Sequence, residues 1–288
     1  VSDNIITLKN VSYAYQGSET LALNDINVTI KKGEFILVMG ANGAGKSTFC
    51  RLLNGLIPHS LSGKLQGTVE VDGIVTKEST AAQLSKIVGM AFDEVENQLF
   101  TANVFDEVAF GLENLLFAPN IIKEKTMSAL KAVGMASYSG MNPNELSGGQ
   151  KQRVVIAAAL AMAGKVLVLD EPESQLDPAG AQEIFAYIGK MHAGSGLTIV
   201  MAVNACEDII QYADRIIVLK EGKLEAFDTP LNVFKDRNLI SSCGILMPQV
   251  CEFAFCMEDL GDPLPVFPLT LHDAELSVLQ QVPRYASN

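Results

Sequence analysis

The strongest constraint on this chain is the run Gly40-Ala-Asn-Gly-Ala-Gly-Lys-Ser-Thr48, which fits G-x-x-x-x-G-K-[ST]. It follows an apolar run, Phe35-Ile-Leu-Val-Met39, and leads into a segment with helical character, Thr48 to Leu53. Strand, glycine-rich turn and helix in that order make a phosphate cradle. Glycine lets backbone N–H groups curl around an anion without Cβ clashes, and the helix directs its positive dipole end to the same point. Gly40, Asn42, Gly43, Ala44, Gly45, Lys46, Ser47 and Thr48 are therefore candidate nucleotide ligands. Lys46 is placed to reach β- and γ-phosphates, and Ser47 to ligand Mg2+.

A second apolar strand, Lys165-Val-Leu-Val-Leu169, ends on Asp170 and Glu171. Ligands of open parallel sheets bind beyond the carboxyl ends of the strands, where this acid pair is expected to lie. Asp170 suits the Mg2+ shell, and Glu171 suits polarising an attacking water. A third element is Leu146-Ser-Gly-Gly-Gln150, ahead of a helix expected from about Lys151. Ser147 is a natural N-cap, while Gly148 and Gly149 permit close backbone approach to phosphate. One nucleotide does not need two cradles. The second makes sense if Leu146 to Gln150 closes over ATP held by another subunit.

Val/Ile-rich runs at Leu197–Ala202 and Arg215–Leu219 add two more strands, with Lys223 to Phe227 returning from the Glu221-Gly222 turn. Thr68 to Val71 alternates ahead of Asp72-Gly73 and predicts half of an antiparallel hairpin. The pattern is α/β with a mostly parallel sheet and flanking helices. From about 93 to 163 helices dominate, including Asn103 to Leu112 and Ile121 to Val133. Beyond Asn238 the prolines 248, 263, 265 and 268 interrupt short helices, so residues 239–288 read as a C-terminal extension to a domain spanning 1–238.

A net charge of −12 argues against nonspecific nucleic-acid binding, which needs basic residues to neutralise phosphates. The longest apolar stretch, Val154 to Ala163, is half of a bilayer crossing, and Val1-Ser-Asp-Asn4 has no signal-peptide character. A soluble cytoplasmic chain is expected. The five cysteines form no C-x-x-C pair and are odd in number, which predicts buried reduced thiols rather than zinc ligands or disulfides.

In order, the phosphate loop, Leu146–Gln150, the acid pair and Ser174-Gln-Leu-Asp-Pro178 resemble the ABC ATPases over nearly all of Ile5 to Phe234. The resemblance implies a P-loop core with an N-terminal antiparallel β subdomain and a helical signature subdomain. It also implies a head-to-tail dimer with two MgATP between the loop of one chain and the signature of the other. Tyr15 matches the aromatic that stacks on adenine, and Asp177 the residue coupling the two sites. More narrowly, Glu96-Asn-Gln-Leu-Phe100, Asp106-Glu-Val-Ala-Phe-Gly111 and the tail around Cys243-Gly-Ile and Pro268-Leu-Thr are similar to the energy-coupling factor (ECF) importer ATPases. That likeness implies a dimerising extension and a position on the cytoplasmic membrane face. The implied partners are a membrane coupling protein and a substrate-binding membrane subunit, with vitamins or transition-metal ions as usual cargo.

Two positions depart from the family. Asp93 stands where the family has a Gln that senses Mg2+ and water, and Asn204 where it has a His that contacts γ-phosphate. Asp93 could still ligand Mg2+ but adds negative charge beside the phosphate, and Asn204 cannot carry the charge or proton of His. Lys46, Glu171 and Asn204 remain the catalytic candidates, in a site expected to turn over slowly. An asymmetric heterodimer with a paralogous ATPase follows. A fully active homodimer and a nucleotide-binding regulatory subunit with little hydrolysis are the alternatives.

Overall fold

The computed structural model describes residues 3–285. Its strands are β1 (Asn4–Tyr15), β2 (Leu23–Lys31), β3 (Phe35–Met39), β4 (Gly63–Val71), β5 (Ile74–Val75), β6 (Val88–Ala91), β7 (Val166–Asp170), β8 (Thr198–Ala202), β9 (Arg215–Lys220) and β10 (Lys223–Asp228). They form an antiparallel sheet ordered β2-β1-β4-β5 and a six-stranded sheet ordered β10-β9-β3-β8-β7-β6. In the larger sheet every pairing is parallel except β10 with β9.

Burial explains why β3, β7 and β8 are apolar except at Asp170 and Thr198: all five residues of each are buried. Both faces of a parallel sheet are covered, so no polar alternation survives. The pleat sends Phe35, Leu37 and Met39 of β3 into one core, with Val154, Ile156, Ile184 and Ile188. Ile36 and Val38 enter the other, with Phe49, Leu52 and the inner face of the antiparallel sheet.

Helix starts are set by caps. Ser147 and Gln150 form a reciprocal capping box that begins the signature helix at Gly148, ahead of the expected Lys151. Asp177 caps the helix Pro178–Ser195 by accepting the Gly180 N–H at 2.8 Å. The phosphate-loop helix runs Lys46–Leu53, starting two residues before Thr48. In the helical region, Val104–Asn114 and Pro119–Ala132 pack beside the signature helix.

The tail comprises helices Arg237–Cys243, Gln249–Asp259 and Leu271–Tyr285. The last three residues of the expected extension, 286–288, lie outside the described residues. Ile240, Cys243, Ile245 and Cys251 belong to the same core as β3 and β8. Cys50, Cys206, Cys243 and Cys251 are buried, but Cys256 is exposed, correcting the expectation of five buried thiols. The reason is helical geometry, since five residues past Cys251 places Cys256 about 140° around the helix, facing outward.

Candidate nucleotide site

The parallel strands deliver their carboxyl ends to one edge. There β3 opens the phosphate loop, β7 ends at Asp170, β8 leads to Asn204, and Asp93 follows β6. Gly40 (φ 148°) has no room for a side chain, because a Cβ would sit 2.2 Å from the Leu219 carbonyl oxygen. At Gly45 (φ 109°) the same atom would meet the Ala22 oxygen at 2.7 Å. Both glycines are required by close packing as well as by backbone conformation.

Lys46 is 4% exposed and lies among three oxygens. Its Nζ donates to the Gly40 carbonyl at 3.0 Å and to Asn204 Oδ1 at 2.9 Å, and lies 3.5 Å from Glu171 Oε1. Glu171 occupies the left-handed region (φ 48°), a strained conformation for a residue with a side chain. Its N–H donates to the Ala202 carbonyl at 3.0 Å, tying the ends of β7 and β8 together. A pocket of about 260 Å³ is lined by Tyr15, Ala22, Asn42, Gly43, Gly45, Lys46, Ser47, Thr48 and Glu171. The Tyr15 hydroxyl hydrogen-bonds Thr48 Oγ1 at 2.9 Å. Of the predicted loop ligands, Gly40 and Ala44 do not line this pocket: the Gly40 carbonyl accepts from Lys46, and Ala44 is buried.

Ser47 Oγ donates to Asp170 Oδ1 at 3.1 Å, while Asp170 Oδ2 is buried without a hydrogen-bond partner. Burial, reinforced by the charge of Asp93, pushes the Asp170 carboxyl up to about 6, against the Ser47 hydrogen bond and the Arg51 charge. A hydroxyl, an orphaned carboxylate oxygen and a neighbouring acid are hard oxygen donors that suit Mg2+. Among the described residues no group of three or more His, Cys, Asp or Glu is placed to hold a metal ion.

Three residues of this edge escaped the sequence reading. Arg51 pairs with Asp93 at 3.2 Å, supplying a counter-charge to that acid. Its position four residues after Ser47 on one helix was the available signal. Buried Gln152, on the signature helix, donates to the Pro172 carbonyl at 3.0 Å and ties that helix to the acid-pair turn. Glu173 accepts the Asn204 N–H through Oε1 at 3.1 Å. Burial pushes the Glu173 carboxyl up to about 7, although that hydrogen bond pulls the other way.

The signature stands apart from this pocket. Leu146 is buried, Ser147 and Gly148 are exposed, and Gly149 and Gln150 are half-buried. None of the five lines the pocket. A Cβ on Gly148 would lie 3.0 Å from Gln175 Oε1, and one on Gly149 3.2 Å from the Gln175 carbonyl oxygen, so the turn leading to Asp177 rests on the signature glycines. Asp177 itself is exposed beside its capping bond.

A phosphate loop after β3, an acid pair at the end of β7 two strands away on the same sheet edge and a separate capped Ser-Gly-Gly turn define an ATP-binding cassette. Residues 23–174 match the family model described as ABC transporter, and the chain belongs to that family as an ATPase. It is 39% identical over 265 residues to the energy-coupling factor transporter ATP-binding protein EcfA1 of Clostridium novyi, covering 91% of this chain and 92% of that one. A putative ABC transporter ATP-binding protein of Pyrococcus abyssi is 40% identical over 258 residues, 90% of this chain and 92% of that protein. Among solved structures, cbiO1 from Clostridium perfringens, part of the ABC transporter complex cbiONQ, superposes with a TM-score of 0.70 at 34% identity, covering 84% of this chain and 94% of that one. A dimeric cassette in a post-hydrolysis state bound to ADP and Pi gives a TM-score of 0.70 at 28% identity, covering 78% of this chain and 98% of that one.

Proposed function

We propose that this chain is an ATPase of an ECF-type importer, working at the cytoplasmic membrane face in a head-to-tail pair of cassettes. The observation that carries the paired arrangement is the separation of Leu146–Gln150 from the chain's own phosphate pocket. The signature closes over nucleotide held by the other subunit, with Asp177 coupling the two sites. In the chain's own site Tyr15 stacks on adenine, residues 40–48 cradle the phosphates, and Lys46 leaves its three oxygens for the β- and γ-phosphates. Glu171 orients the attacking water, and its left-handed backbone aims the carboxylate back toward Lys46. Ser47, Asp170 and Asp93 would hold Mg2+, which neutralises phosphate charge when bound.

Partner surfaces are consistent with this reading. Phe100 and Phe110 pack edge to face at 4.8 Å, both exposed, within the two ECF-like motifs, a surface suited to docking the membrane coupling protein. In the tail, exposed Phe253, Leu271, Val278 and Leu279 line an apolar groove of about 420 Å³, supporting a dimerising role for the extension. Among the described residues no helix is long and apolar enough to cross a membrane, and a substrate-binding membrane subunit would carry a vitamin or transition-metal ion.

The chain's own site is proposed to be the slower half of an asymmetric heterodimer with a paralogous ATPase. Asn204 accepts from Lys46 through Oδ1 and brings no positive charge of its own. A specific observation favours the second reading, a working homodimer: Arg51 offsets the charge that Asp93 introduces. Steady-state MgATP hydrolysis by the chain alone, beside the Asp93→Gln/Asn204→His variant, decides between them. Low parental turnover with roughly ten-fold or greater gain in the variant is expected. Strong turnover by the parent alone overturns the heterodimer in favour of the homodimer.

A further inference from the structure

Glu173 stands at the junction of two strand ends, on the turn after β7 and against the segment after β8. As a whole the residue is half-buried, yet its Oε2 is shut from solvent and has no hydrogen-bond partner. Its Oε1 accepts the backbone N–H of Asn204 at 3.1 Å. Residue 203 is held from the other side, where the Val203 N–H donates to the Val38 carbonyl at 3.1 Å. Val38 lies on β3, next to the strand end that opens the phosphate loop. With Val203 fixed there, the hydrogen bond to Glu173 anchors the backbone from which the Asn204 side chain projects. That side chain reaches Lys46 at 2.9 Å, and Lys46 reaches Glu171 at 3.5 Å. Glu173, Asn204, Lys46 and Glu171 therefore form one continuous polar chain through the phosphate corner.

We infer that Glu173 is a positioning residue for ATP hydrolysis, acting through Asn204 to hold its amide against Lys46 at the γ-phosphate position. The inference rests on the reading that Lys46 and Asn204 flank that phosphate. Because burial disfavours the carboxylate and the orphaned Oε2 needs no counter-ion, the group serves as a hydrogen-bond acceptor through Oε1, a role that an amide can fill. A salt-bridging role would instead need the charge, and among the described residues no Lys, Arg or His pairs with Glu173.

The test is single-turnover MgATP hydrolysis with the full chain in excess over nucleotide, which reads a slow site as well as a fast one. Nucleotide affinity is measured in parallel by fluorescent ATP-analogue titration. Glu173→Ala is expected to slow hydrolysis by roughly ten-fold with affinity within about three-fold of the parent, because one hydrogen bond to the positioned segment is lost. Glu173→Gln, which keeps an Oε1 acceptor, is expected to restore the rate to within about three-fold. Glu173→Met fills the same space without an acceptor and replaces the alanine variant if that one folds poorly.

A cycle with Asn204→Ala separates the inference from the reading beneath it. If Glu173 acts through Asn204, Glu173→Ala adds little to a chain already lacking the amide. Full multiplication of the two losses overturns the inference while leaving the role of Asn204 intact. An Asn204→Ala chain as fast as the parent overturns the underlying reading. Glutamine as slow as alanine overturns positioning in favour of charge.

Discussion

The carboxyl of Glu173 makes a prediction that needs no nucleotide. Its folded value lies near 7 against an ordinary 4.5, so the folded chain holds this proton more tightly than the unfolded chain does. Between those values the folded state carries more bound proton, and stability from this group falls as pH rises through the window. The cost is fully present above about pH 7 and absent below the ordinary value. Glu173→Gln removes the titration. It should therefore stabilise the chain by about 1–2 kcal/mol at pH 8, after discounting for solvent screening, and by almost nothing at pH 4. Urea melts of both chains at the two pH values give the answer, and equal differences at both would refute it. Nothing in the sequence marked this residue. Lys46, Ser47, Asp170 and Glu171 are legible because local spacing places them, whereas Glu173 matters only because the end of β8 runs beside the end of β7.

Elements in this fold were read from their apolar runs, and their boundaries were not. Strands β3, β7 and β8 declare themselves because covering both faces demands an almost unbroken apolar run. The signature helix begins three residues earlier than its apolar pattern suggests, since Gly148 and Gly149 carry no periodicity and the start is set by hydrogen bonds. Ser147 Oγ accepts the Gln150 N–H at 3.3 Å, and Gln150 Oε1 accepts the Ser147 N–H at 2.9 Å. Ser147→Ala should lower stability by about 1 kcal/mol through loss of this cap. Nucleotide affinity of the isolated chain should stay unchanged, because Ser147 does not line the pocket. Hydrolysis by the assembled pair should fall by roughly ten-fold or more, as the second cradle loses a donor. Affinity falling together with hydrolysis in the isolated chain would contradict the placement of this turn over a partner's nucleotide. Arg51 belongs to the same lesson, since a helical offset of four from Ser47 exposes it once the helix is known to start at Lys46.

At the scale of the molecule, the sequence separates a cassette from an extension, while the packing joins them. Ile240, Cys243, Ile245 and Cys251 share a core with Leu37 and Met201. The Ala41 N–H of the phosphate loop donates to the Cys243 carbonyl at 3.2 Å. Chain composition gave no sign of this contact, because prolines and short helices look alike whether a tail is free or docked. Removing residues 239–288 should lower the melting temperature and weaken ATP-analogue binding by roughly three- to ten-fold, the effect of one backbone hydrogen bond on a loop that must be preformed. Removing only residues after 260 leaves Cys243 and its neighbours and should spare affinity. Unchanged binding in the longer truncation would separate the tail from the site.

The carbonyl of Cys243 turns the tail into a strut. A pull on the outer helices would reach, through one core and one hydrogen bond, the strand-to-helix bend proposed to hold phosphate. On the proposed function, assembly and nucleotide loading would share a mechanical path within a single chain, independent of any signal crossing between subunits.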